Sequence, residues 1–501
     1  MQLTKLVSSL TMEKILVGKP HKNTEIETIT CRSGQAEATS LFVCIRGALA
    51  DGHEYAPAAY QKGCRAFLVD HRLDLPANAL QIIVPEGKTH AAMAYLSLTL
   101  YAYPSWDIPI IGITGTKGKT TTALLITHVL NENGIPTGYI GTNGIQYGGR
   151  SFPSINTTPD VCELQYHLRQ MVNAGMRCAV VEVSSQALKT GRVLGMRFFR
   201  TVFTNFSPDH IGPREHPDLS DYKACKAKLF SDFESAGVLY NADDPAAADI
   251  IAGTKAPRKS YGMGHNVDFA ADDLSLTRTA TQLGIDFTLT TPKLMQYKVS
   301  LPIPGEFNVY NALCAIAVCT EMEVPVPDIL RSLTDVRIPG RFEVYPLSGG
   351  ATAVIDYAHN GISLRSALET LRAYRPNRLL CLFGSVGGRT KGRRADMGAV
   401  AAKLCDFCIL TSDNPDNEPP MDIINDIAAA ISPSDCSYTA IPDRAEAIRY
   451  AVSLTKPGDI LLLAGKGHEK TQLIAGHYLP FSEAGILADY VAVPETAVQK
   501  A

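Results

Sequence analysis

The segment Ile110-Ile-Gly-Ile-Thr-Gly-Thr-Lys-Gly-Lys-Thr-Thr121 joins an apolar strand to a glycine-rich turn. Glycines allow backbone N–H groups to surround phosphates, Lys119 supplies a positive charge, and the Thr120 hydroxyl suits Mg²⁺. The apolar run at 123–130 predicts a helix whose positive N-terminal end faces the bound anion. The segment therefore predicts a loop that binds the phosphates of a nucleoside triphosphate.

This loop departs from the common phosphate-loop spacing at one position. Ile113 stands where the usual pattern has a glycine, so residues 114–120 form a variant of that loop. We expect the nucleoside triphosphate to contact the loop through Gly115, Thr116, Lys117, Gly118, Lys119, Thr120 and Thr121.

Composition sets limits on the class of protein. A chain of 501 residues exceeds one hydrophobic core and predicts roughly three domains. Its formal charge of −3, with both signs mixed, provides no extended basic field and argues against nucleic acid as a partner. The sequence has no signal-peptide core and no apolar run near the roughly 18 residues of a membrane span. We expect a cytoplasmic monomer without membrane insertion.

The cysteines point to the same compartment. All 12 are scattered through the chain, many of them in apolar segments, which is typical of reduced core thiols in a cytosolic protein. Cys405 and Cys408 form a lone CxxC within a predicted strand, where the two thiols would face opposite sides. Because no second pair completes a zinc site, the pattern favours buried thiols.

The alternation of apolar runs predicts an α/β protein of three domains. Residues 1–107 are expected to form a small mixed α/β domain, 108–337 a central nucleotide-binding domain with a mostly parallel, doubly wound sheet, and 338–501 a C-terminal Rossmann-like domain. A linker is expected at 104–109 and a helix at 90–101. Strands are expected at 41–45, 66–69, 110–114, 137–140, 178–183, 201–204, 237–240, 353–356, 378–383, 407–410 and 459–463.

Polar residues follow several predicted strands, and ligands bind at the carboxyl ends of strands in open parallel sheets. Glu182 and Ser184 end one strand, where the carboxylate suits a hard cation, although a solvent-facing glutamate is an equally simple interpretation. His210 ends another strand and is either a ligand or a structural hydrogen-bonding residue. Lys226 lies on a helical pattern whose solvated face is the alternative to a functional role.

The last third of the chain repeats this arrangement. Asp356 and His359 close a strand and either meet a nucleotide or cap the next helix. The cationic turn 384–394, with Arg389, suits phosphate or carboxylate recognition but also fits an exposed basic loop. Residues 465–469 follow the final buried strand and form another candidate ligand-facing turn.

Ordered motifs along nearly the whole chain resemble the Mur ligase family, and most closely its branch that adds the third amino acid to the peptidoglycan stem peptide. The motifs are Leu41-Phe-Val with Gly47, residues 114–120, Asn156-Thr-Thr158, Glu182-Val-Ser-Ser-Gln186, 205–210, Asn241-Ala-Asp-Asp-Pro245, Gly305-Glu-Phe-Asn-Val-Tyr-Asn311, Pro339-Gly-Arg-Phe-Glu343, Asp356-Tyr-Ala-His359, Asp413-Asn-Pro415 and Gly465-Lys-Gly-His-Glu469.

The resemblance implies an ATP-dependent amide ligase. ATP would phosphorylate the D-Glu carboxylate of UDP-MurNAc-L-Ala-D-Glu, and the amine of a diamino acid would attack the acyl phosphate. Lys119 would hold the γ-phosphate, Thr120 and Glu182 would bind one Mg²⁺, and His210 would help to bind a second. Lys226 matches the family's carbamylated lysine (N6-carboxylysine), which would support Mg²⁺.

The resemblance also assigns the substrate contacts. The UDP-sugar peptide is expected at Asn156, Thr157, Thr158, Ser184, Gln186 and Arg192, and adenosine at Asn308, Arg341, Asp356 and His359. Where the family has Asp-Ser-Arg for uridine, this chain has Thr30-Cys31-Arg32, which replaces the usual serine by Cys31. The amino acid is expected at Arg389, Asp413, Asn414, Asp416, Gly465 and Glu469.

The third amino acid depends on one position. In members that use meso-diaminopimelate, Asp-Asn-Pro is followed by an arginine that binds the distal carboxylate, whereas here Asp416 follows. A carboxylate there favours a distal ammonium and predicts L-lysine, with meso-diaminopimelate or L-ornithine as alternatives; Asp416 could instead point to water. A phosphate-loop ATPase without ligase activity and an inactive binding protein of the same fold are the competing functions.

Overall fold

The computed structural model describes residues 1–19, 24–47, 50–212, 215–264, 266–279, 282–388 and 391–492. These residues form two compact units. The first contains Met1–Ala270 with Leu313–Ile329, and the second contains Ala271–Ala312 with Leu330–Ala501. The predicted domain boundaries at 107 and 337 stay predictions.

The first unit begins with a small five-stranded sheet of strand order β1-β5-β4-β3-β2. Strands β2 to β5 run parallel to their neighbours, and β1 pairs antiparallel with β5. The predicted helix at 90–101 and strand at 66–69 are confirmed within one residue. The elements are α1 (Leu3–Ser9), β1 (Ile15–Val17), β2 (Thr28–Thr30), β3 (Ser40–Val43), α2 (Ala56–Gln61), β4 (Ala66–Val69), β5 (Leu80–Ile83) and α3 (Thr89–Leu100).

A larger sheet follows the phosphate-binding segment in the same unit. Its elements are β6 (Ile110–Thr114), α4 (Lys119–Glu132), β7 (Thr137–Gly141), β8 (Gly144–Tyr147), β9 (Arg150–Phe152), α5 (Val161–Asn173), β10 (Cys178–Glu182), α6 (Ser185–Lys189), β11 (Arg197–Phe198), β12 (Arg200–Phe203), α7 (Leu219–Ser231), β13 (Glu234–Ser235), β14 (Val238–Asn241), α8 (Ala247–Ile250) and β15 (Arg258–Gly262). The parallel core has the order β7-β10-β6-β12-β14-β15, which confirms the predicted mostly parallel sheet. All residues of β6 and β10 are buried, so both strands are uniformly apolar until they end at polar residues.

Some antiparallel strands of the described residues lack a counterpart in the sequence analysis. Strands β7, β8 and β9 form a meander. Further along the chain, β17 pairs antiparallel with β18 in the second unit. The elements of this stretch are β16 (Phe269–Arg278), β17 (Leu283–Thr290), β18 (Gln296–Leu301), α9 (Phe307–Glu321) and α10 (Val326–Leu333).

The second unit contains a six-stranded sheet of order β19-β20-β24-β21-β22-β23, in which only the β19–β20 pair is antiparallel. Its elements are β19 (Glu343–Pro346), β20 (Thr352–Asp356), α11 (Gly361–Ala373), β21 (Leu379–Phe383), α12 (Lys391–Leu404), β22 (Phe407–Leu410), α13 (Pro420–Ile431), β23 (Ser437–Ala440), α14 (Arg444–Leu454), β24 (Ile460–Ala464), β25 (Thr471–Ile474), β26 (His477–Pro480) and α15 (Glu483–Leu487). The predicted Rossmann-like domain is confirmed.

The CxxC prediction needs a correction in detail. Cys405 lies between α12 and β22, not within the strand, because β22 begins only at Phe407. The Cys408 thiol lies 3.7 Å from the thiol of Cys436. Both members of the CxxC are buried and free, in agreement with the expected reduced thiols. None of the described helices is long and apolar enough to cross a membrane.

Candidate active site

The glycine-rich turn packs against the end of the neighbouring strand β12. Gly115 has a φ of +148°, and a Cβ there would lie 1.9 Å from Thr204 Oγ1. The Asn205 carbonyl accepts from Thr116 N–H at 2.8 Å, and its side-chain Oδ1 accepts from Lys117 N–H at 2.9 Å. Residues after β12 therefore fix the shape of the loop, and position 115 requires glycine.

The Lys119 ammonium is held by backbone carbonyls of the same turn. Lys119 Nζ donates to the carbonyls of Gly115 at 2.8 Å and Thr116 at 3.0 Å. Because Lys119 is also the first residue of α4, the ammonium lies beside the positive end of the helix dipole. This arrangement concentrates positive potential where a phosphate would enter.

Glu182 ends β10 and is completely buried, with 0% of the residue exposed. Its carboxylate accepts from Thr120 Oγ1 at 2.9 Å, Tyr139 OH at 2.5 Å, and Thr142 through both N–H at 3.0 Å and Oγ1 at 3.2 Å. The solvent-facing interpretation of this glutamate is therefore wrong. The site offers a hard carboxylate next to the hydroxyl of the phosphate loop.

Lys226 is also buried, with 1% of the residue exposed, and this excludes the solvated helix face. Its Nζ donates to the Gly115 carbonyl at 2.8 Å and lies 4.4 Å from the centre of the Tyr222 ring. Burial lowers the pKa of the Lys226 amine well below its ordinary value, and the charge of Lys119 lowers it further. The side chain is thus an amine that loses its proton readily.

These side chains surround a cavity of about 300 Å³ in the first unit. Lys119 and Lys226 line it together with most of the predicted substrate residues of this unit. The lining consists of Lys119, Asn156, Thr157, Ser184, Ser185, Gln186, Arg192, His210, Glu215, His216, Tyr222 and Lys226. The structure therefore brings together residues that the sequence holds more than 100 positions apart.

The two histidines of this cavity differ. His210 is exposed, has a φ of +57°, and its Nδ1 lies 3.1 Å from Glu215 Oε1. His216 is buried; its Nδ1 lies 2.7 Å from Asp221 Oδ2 and its Nε2 lies 2.9 Å from Ser185 Oγ. Sequence reasoning missed His216 because it lies in a loop without periodic pattern. The only signal in the sequence was its position six residues after His210, in the loop that follows β12.

The residues expected to hold the sugar peptide form a connected hydrogen-bond system. Thr158 Oγ1 donates to the Glu182 carbonyl at 2.7 Å and accepts from Ser184 N–H at 3.0 Å. Arg192 donates to the Thr158 carbonyl at 2.9 Å. The Thr157 and Thr142 hydroxyls lie 3.1 Å apart. The system therefore ties the cavity wall to the buried Glu182.

Cys31 lines a separate cavity of about 250 Å³ in the first unit, together with Thr30, Arg32 and residues of α5. Its thiol lies 3.7 Å from Asp160 Oδ2, and Arg32 donates to Glu163 at 3.1 Å. The pKa of Cys31 is lowered by a hydrogen bond with Cys162, against the effect of burial. A concave site thus exists where uridine was expected.

In the second unit, Arg341 and His359 lie near Asp356 and Tyr357 at the end of β20. Burial raises the pKa of Asp356 to about 6, while Arg341 and backbone N–H groups oppose that rise. The Arg341 guanidinium lies 4.8 Å from the centre of the Tyr357 ring, and His359 Nδ1 lies 2.8 Å from the Tyr357 carbonyl. Asn308 is buried and donates to the Pro304 carbonyl at 2.6 Å.

The predicted amino-acid residues meet at the ends of β22 and β24. Asn414 Nδ2 donates to Glu469 Oε2 at 3.0 Å, and a Cβ at Gly465 would lie 2.7 Å from Asp413 Oδ2. Sequence reasoning missed two buried cations here. Lys466 donates to Asn414 Oδ1 at 2.8 Å and Glu469 Oε2 at 2.6 Å, and Arg444 donates to the Ser412 carbonyl at 3.1 Å. Lys466 was visible inside a quoted motif, whereas Arg444 lies on a helix with no distinguishing pattern.

Asp413 is buried in this group, and burial raises the pKa of its carboxyl; the charges of Arg444 and Lys466 oppose that effect. The buried Asp413 carboxyl therefore lies within the field of two buried cations, Arg444 and Lys466. Arg389, the predicted α-carboxylate contact, lies outside the described residues.

Asp416 forms an isolated bridge with Ile474, and its carboxylate accepts hydrogen bonds from neighbouring groups. Its backbone has a φ of +52°. Asp416 N–H donates to the Leu473 carbonyl at 3.0 Å, and its Oδ1 accepts from Gly476 N–H at 3.2 Å and from Asn417 Nδ2 at 3.2 Å. The carboxylate thus stabilises the turn between β25 and β26. The charge argument for L-lysine has no support from this geometry.

Three family descriptions match consecutive parts of the chain. "Mur ligase family, catalytic domain" matches residues 25–99, "Mur ligase middle domain" matches 113–319, and "Mur ligase, glutamate ligase domain" matches 340–467.

Curated relatives extend over nearly the whole length. The protein named UDP-N-acetylmuramoyl-L-alanyl-D-glutamate–2,6-diaminopimelate ligase of Geobacillus thermodenitrificans is 35% identical, and the match covers 93% of this chain and 94% of the relative. A protein of the same name from Caldanaerobacter subterraneus is 35% identical over 95% of this chain and 97% of its own length.

Solved structures agree with this assignment. A structure of a ligase of the same name superposes with a TM-score of 0.65 at 26% identity, and covers 97% of this chain and 98% of that one. The MurF ligase of Thermotoga maritima, in complex with ADP, shares the fold with a TM-score of 0.61 at 16% identity, covering 89% of this chain and 94% of that one. The chain belongs to the Mur ligase family, and its curated relatives are ligases named for forming the tripeptide.

Proposed function

We propose that this protein is an ATP-dependent ligase of peptidoglycan synthesis that joins 2,6-diaminopimelate to UDP-MurNAc-L-Ala-D-Glu. The main support for this proposal is the cavity in the first unit. It is lined by Lys119 of the phosphate loop and buried Lys226 together with Thr157, Ser184 and Arg192. Such a site can hold a phosphate and a carboxylate side by side, which is what phosphorylation of a carboxylate requires.

The reaction has two steps. The D-Glu γ-carboxylate attacks the γ-phosphorus of ATP, the bond to the β-phosphate oxygen breaks, and ADP leaves. The amine of the diamino acid then attacks the acyl carbon, inorganic phosphate leaves, and the amine loses a proton as the amide forms. Lys119 and the N-terminus of α4 offset the negative charge that accumulates when the two anions meet.

The residues present fit Mg²⁺. Glu182 and Thr120 supply hard oxygen donors 2.9 Å apart at the mouth of the phosphate loop. When bound, the ion would neutralise phosphate charge. Glu182 and Thr120 would hold this ion. His210 and modified Lys226 would hold a second one. The role of Glu182 is to keep an anionic oxygen fixed in a buried site.

The environment of Lys226 supports its carbamylation as part of this proposal. A neutral amine adds to CO₂ and releases one proton, giving a carbamate anion, whereas an ammonium cannot react. Burial and the nearby Lys119 lower the pKa of this amine, which supports the neutral form. The modification would place a carbamate anion near the Lys119 ammonium and add oxygen donors for Mg²⁺.

Each part of the chain would bind a different substrate or part of a substrate. Residues 1–107 with Cys31 would bind the uridine end, residues 108–337 would bind ATP and the peptide carboxylate, and residues 338–501 would bind the amino acid. Adenosine would meet Asn308, Arg341, Asp356 and His359, and the sugar peptide would meet Asn156, Thr157, Thr158, Ser184, Gln186 and Arg192. We propose a cytoplasmic monomer.

The choice of 2,6-diaminopimelate over L-lysine rests on two points. The relatives at about 35% identity are named for 2,6-diaminopimelate. The carboxylate of Asp416, which favoured lysine, is engaged in the turn before β26. Asp413, Asn414, Gly465 and Glu469 would contact the amino acid, with Arg389 at a carboxylate.

The reaction class is tested by phosphate release from the purified protein. We expect release only when ATP, Mg²⁺, UDP-MurNAc-L-Ala-D-Glu and the diamino acid are all present, and a loss of at least about 100-fold in Lys119→Ala. Lys88→Ala, which changes a lysine outside the cavity, is the control. Phosphate release without the two acceptors would favour an ATPase, and retained activity in Lys119→Ala would contradict the proposal.

The amino acid is tested by competition. Equal concentrations of meso-diaminopimelate, L-lysine and L-ornithine are offered together, and the products are separated by mass. We expect the meso-diaminopimelate product to predominate. A predominance of the L-lysine product would restore the charge argument at Asp416 and reject diaminopimelate.

A further inference from the structure

The loop that follows β24 buries a lysine among the residues proposed to bind the amino acid. Lys466 has 0% of its surface exposed, and the proposed reaction steps do not use it. Its Nζ donates to Asn414 Oδ1 at 2.8 Å, to Glu469 Oε2 at 2.6 Å and to the Thr471 carbonyl at 2.7 Å. These three acceptors use all three protons of the ammonium. Lys466 therefore has no donor left for a ligand and acts on a substrate only through its partners.

The Lys466 ammonium determines which way the Asn414 amide points. Asn414 Oδ1 also accepts from Leu473 N–H at 3.0 Å, and Asn414 Nδ2 donates to Glu469 Oε2 at 3.0 Å. If the amide were flipped, its NH₂ group would face two donors and its oxygen would face a carboxylate. The amide is therefore held in one orientation, and its described contacts leave the second proton of Nδ2 for another acceptor.

The same ammonium gives the two oxygens of Glu469 different surroundings. Oε2 accepts from both Lys466 and Asn414, whereas Oε1 lies 3.4 Å from Tyr357 OH, which is a long hydrogen bond. The Glu469 side chain is 28% exposed, so Oε1 can accept from a ligand. Lys466 thus keeps one acceptor oxygen and one N–H donor side by side, which suits the ammonium and the carboxylate of an amino acid.

We propose that Lys466 is a positioning residue for the diamino acid, because it holds Glu469 Oε1 and the Asn414 N–H in the orientation that receives this substrate. The inference rests on the proposed function. Without the ammonium, the Asn414 amide could rotate and the Glu469 carboxylate could turn towards water, so binding would have to order both side chains again. The cost falls on the amino acid, since ATP and UDP-MurNAc-L-Ala-D-Glu have other proposed contacts.

Steady-state kinetics of amide formation test this role. The KM is measured for whichever diamino acid the competition assay selects. We expect Lys466→Met to raise this KM by about 10–100-fold, with kcat and the KM values of the other two substrates within about threefold of wild type. Lys470→Met, which makes the same change at an exposed lysine of the same loop, should leave all of these constants unchanged.

Arg378→Met separates a positioning role from a general loss of stability. Arg378 directly precedes β21 and lies 2.5 Å from the buried carboxylate of Asp459, which is at the other end of β24 from Lys466. Both Arg378→Met and Lys466→Met should lower the Tm, but only Lys466→Met should raise the KM of the diamino acid. An equal rise in the two variants would overturn the proposal.

A double variant separates positioning from direct contact with the substrate. If Lys466 acts through Glu469, the variant with both Lys466→Met and Glu469→Gln should lose at least about fivefold less in kcat/KM than the product of the two single losses. Losses that multiply would overturn the positioning role.

The wild type distinguishes the failure of this inference from the failure of the proposed function. A wild type without diamino-acid-dependent phosphate release would contradict the proposed function and the role of Lys466 with it. An active wild type with an unchanged KM in Lys466→Met would overturn only the role of Lys466.

Discussion

The Lys226 amine lies in a buried site next to a second lysine, and both effects lower its pKa and so increase the share of the neutral, nucleophilic amine. We predict that Lys226→Arg, which keeps a cation but cannot be carbamylated, lowers the rate of amide formation by roughly 100-fold or more. With ¹³C-bicarbonate, the wild type should show a carbamate signal in NMR spectra that Lys226→Arg lacks.

Lys228→Arg provides the matched control, since Lys228 lies on the same helix and is partly exposed. It should retain both the activity and the carbamate signal. Wild-type activity in Lys226→Arg would show that the lysine acts only through its charge.

A second residue-scale prediction concerns Asp356, whose pKa burial raises to about 6. The folded protein holds this proton more tightly than the unfolded chain does. Protonation of Asp356 therefore adds to the free energy of unfolding at low pH. As pH rises from about 4 to above 6, this stabilisation is lost, by up to about 3 kcal/mol. Asp356→Asn should not show this loss.

The measurement is urea unfolding of both proteins between about pH 4 and pH 7.5. The free energy of unfolding of the wild type should fall relative to that of Asp356→Asn across this range. Asp422→Asn, at an exposed carboxylate on α13, should follow the wild type at every pH. Parallel curves for wild type and Asp356→Asn would contradict a raised pKa.

At the scale of elements, the junction of β6 and α4 depends on Gly115. An added Cβ would combine an unfavourable φ of +148° with a distance of 1.9 Å to Thr204 Oγ1. We predict that Gly115→Ala destabilises the protein by about 2–4 kcal/mol and weakens ATP binding, because the loop must move away from β12. Thermal unfolding and titration with a fluorescent ATP analogue measure the two effects.

Gly134 offers a control at the other end of the same helix. It has a φ of +71°, but a Cβ there meets nothing within 4 Å. Gly134→Ala should therefore lose only about 1–2 kcal/mol from the left-handed backbone, with ATP binding unchanged. Equal effects of the two substitutions would show that conformation, not contact with Thr204, limits position 115.

Local patterns account for what the sequence could predict at this scale. The strand at Ile110–Thr114 and the helix after it follow from an apolar run and glycines, and both are where they were expected. The antiparallel pair β17–β18 was missed because its sequence lies between two regular series and carries no tight turn signal. Burial of Glu182 and Lys226 could not be read from their own segments, since it depends on packing against Thr120 and Gly115, far away along the chain.

At the scale of the whole molecule, all 12 cysteines are free, and only Cys31 and Cys436 are partly exposed. We predict that a thiol reagent modifies these two positions first in the native protein and reaches all 12 after unfolding in guanidinium chloride. Added reductant should leave the Tm unchanged, because no disulfide contributes to stability. A Tm that falls on reduction would reveal a covalent link between cysteines.

The order of motifs along the chain predicted the family and its three-part α/β organisation, because those motifs recur at the ends of parallel strands. Side-chain roles are less accessible to sequence. His216 and Arg444 are buried polar residues without a local pattern, and their partners come from other elements. Asp416 shows the opposite error, since a charge assigned from its neighbours in sequence is used by a distant turn.

That use of Asp416 has a consequence for inhibitor design. A compound built with a distal ammonium to reach this aspartate would compete with hydrogen bonds already made to Gly476 and Asn417. Its gain from charge would be offset by the weakening of the hydrogen bond that ties the carboxylate to Gly476 in the turn between β25 and β26. Analogues of the amino acid should instead be elaborated towards Asn414 and Glu469, where the partly exposed Glu469 carboxylate already pairs with the buried Lys466.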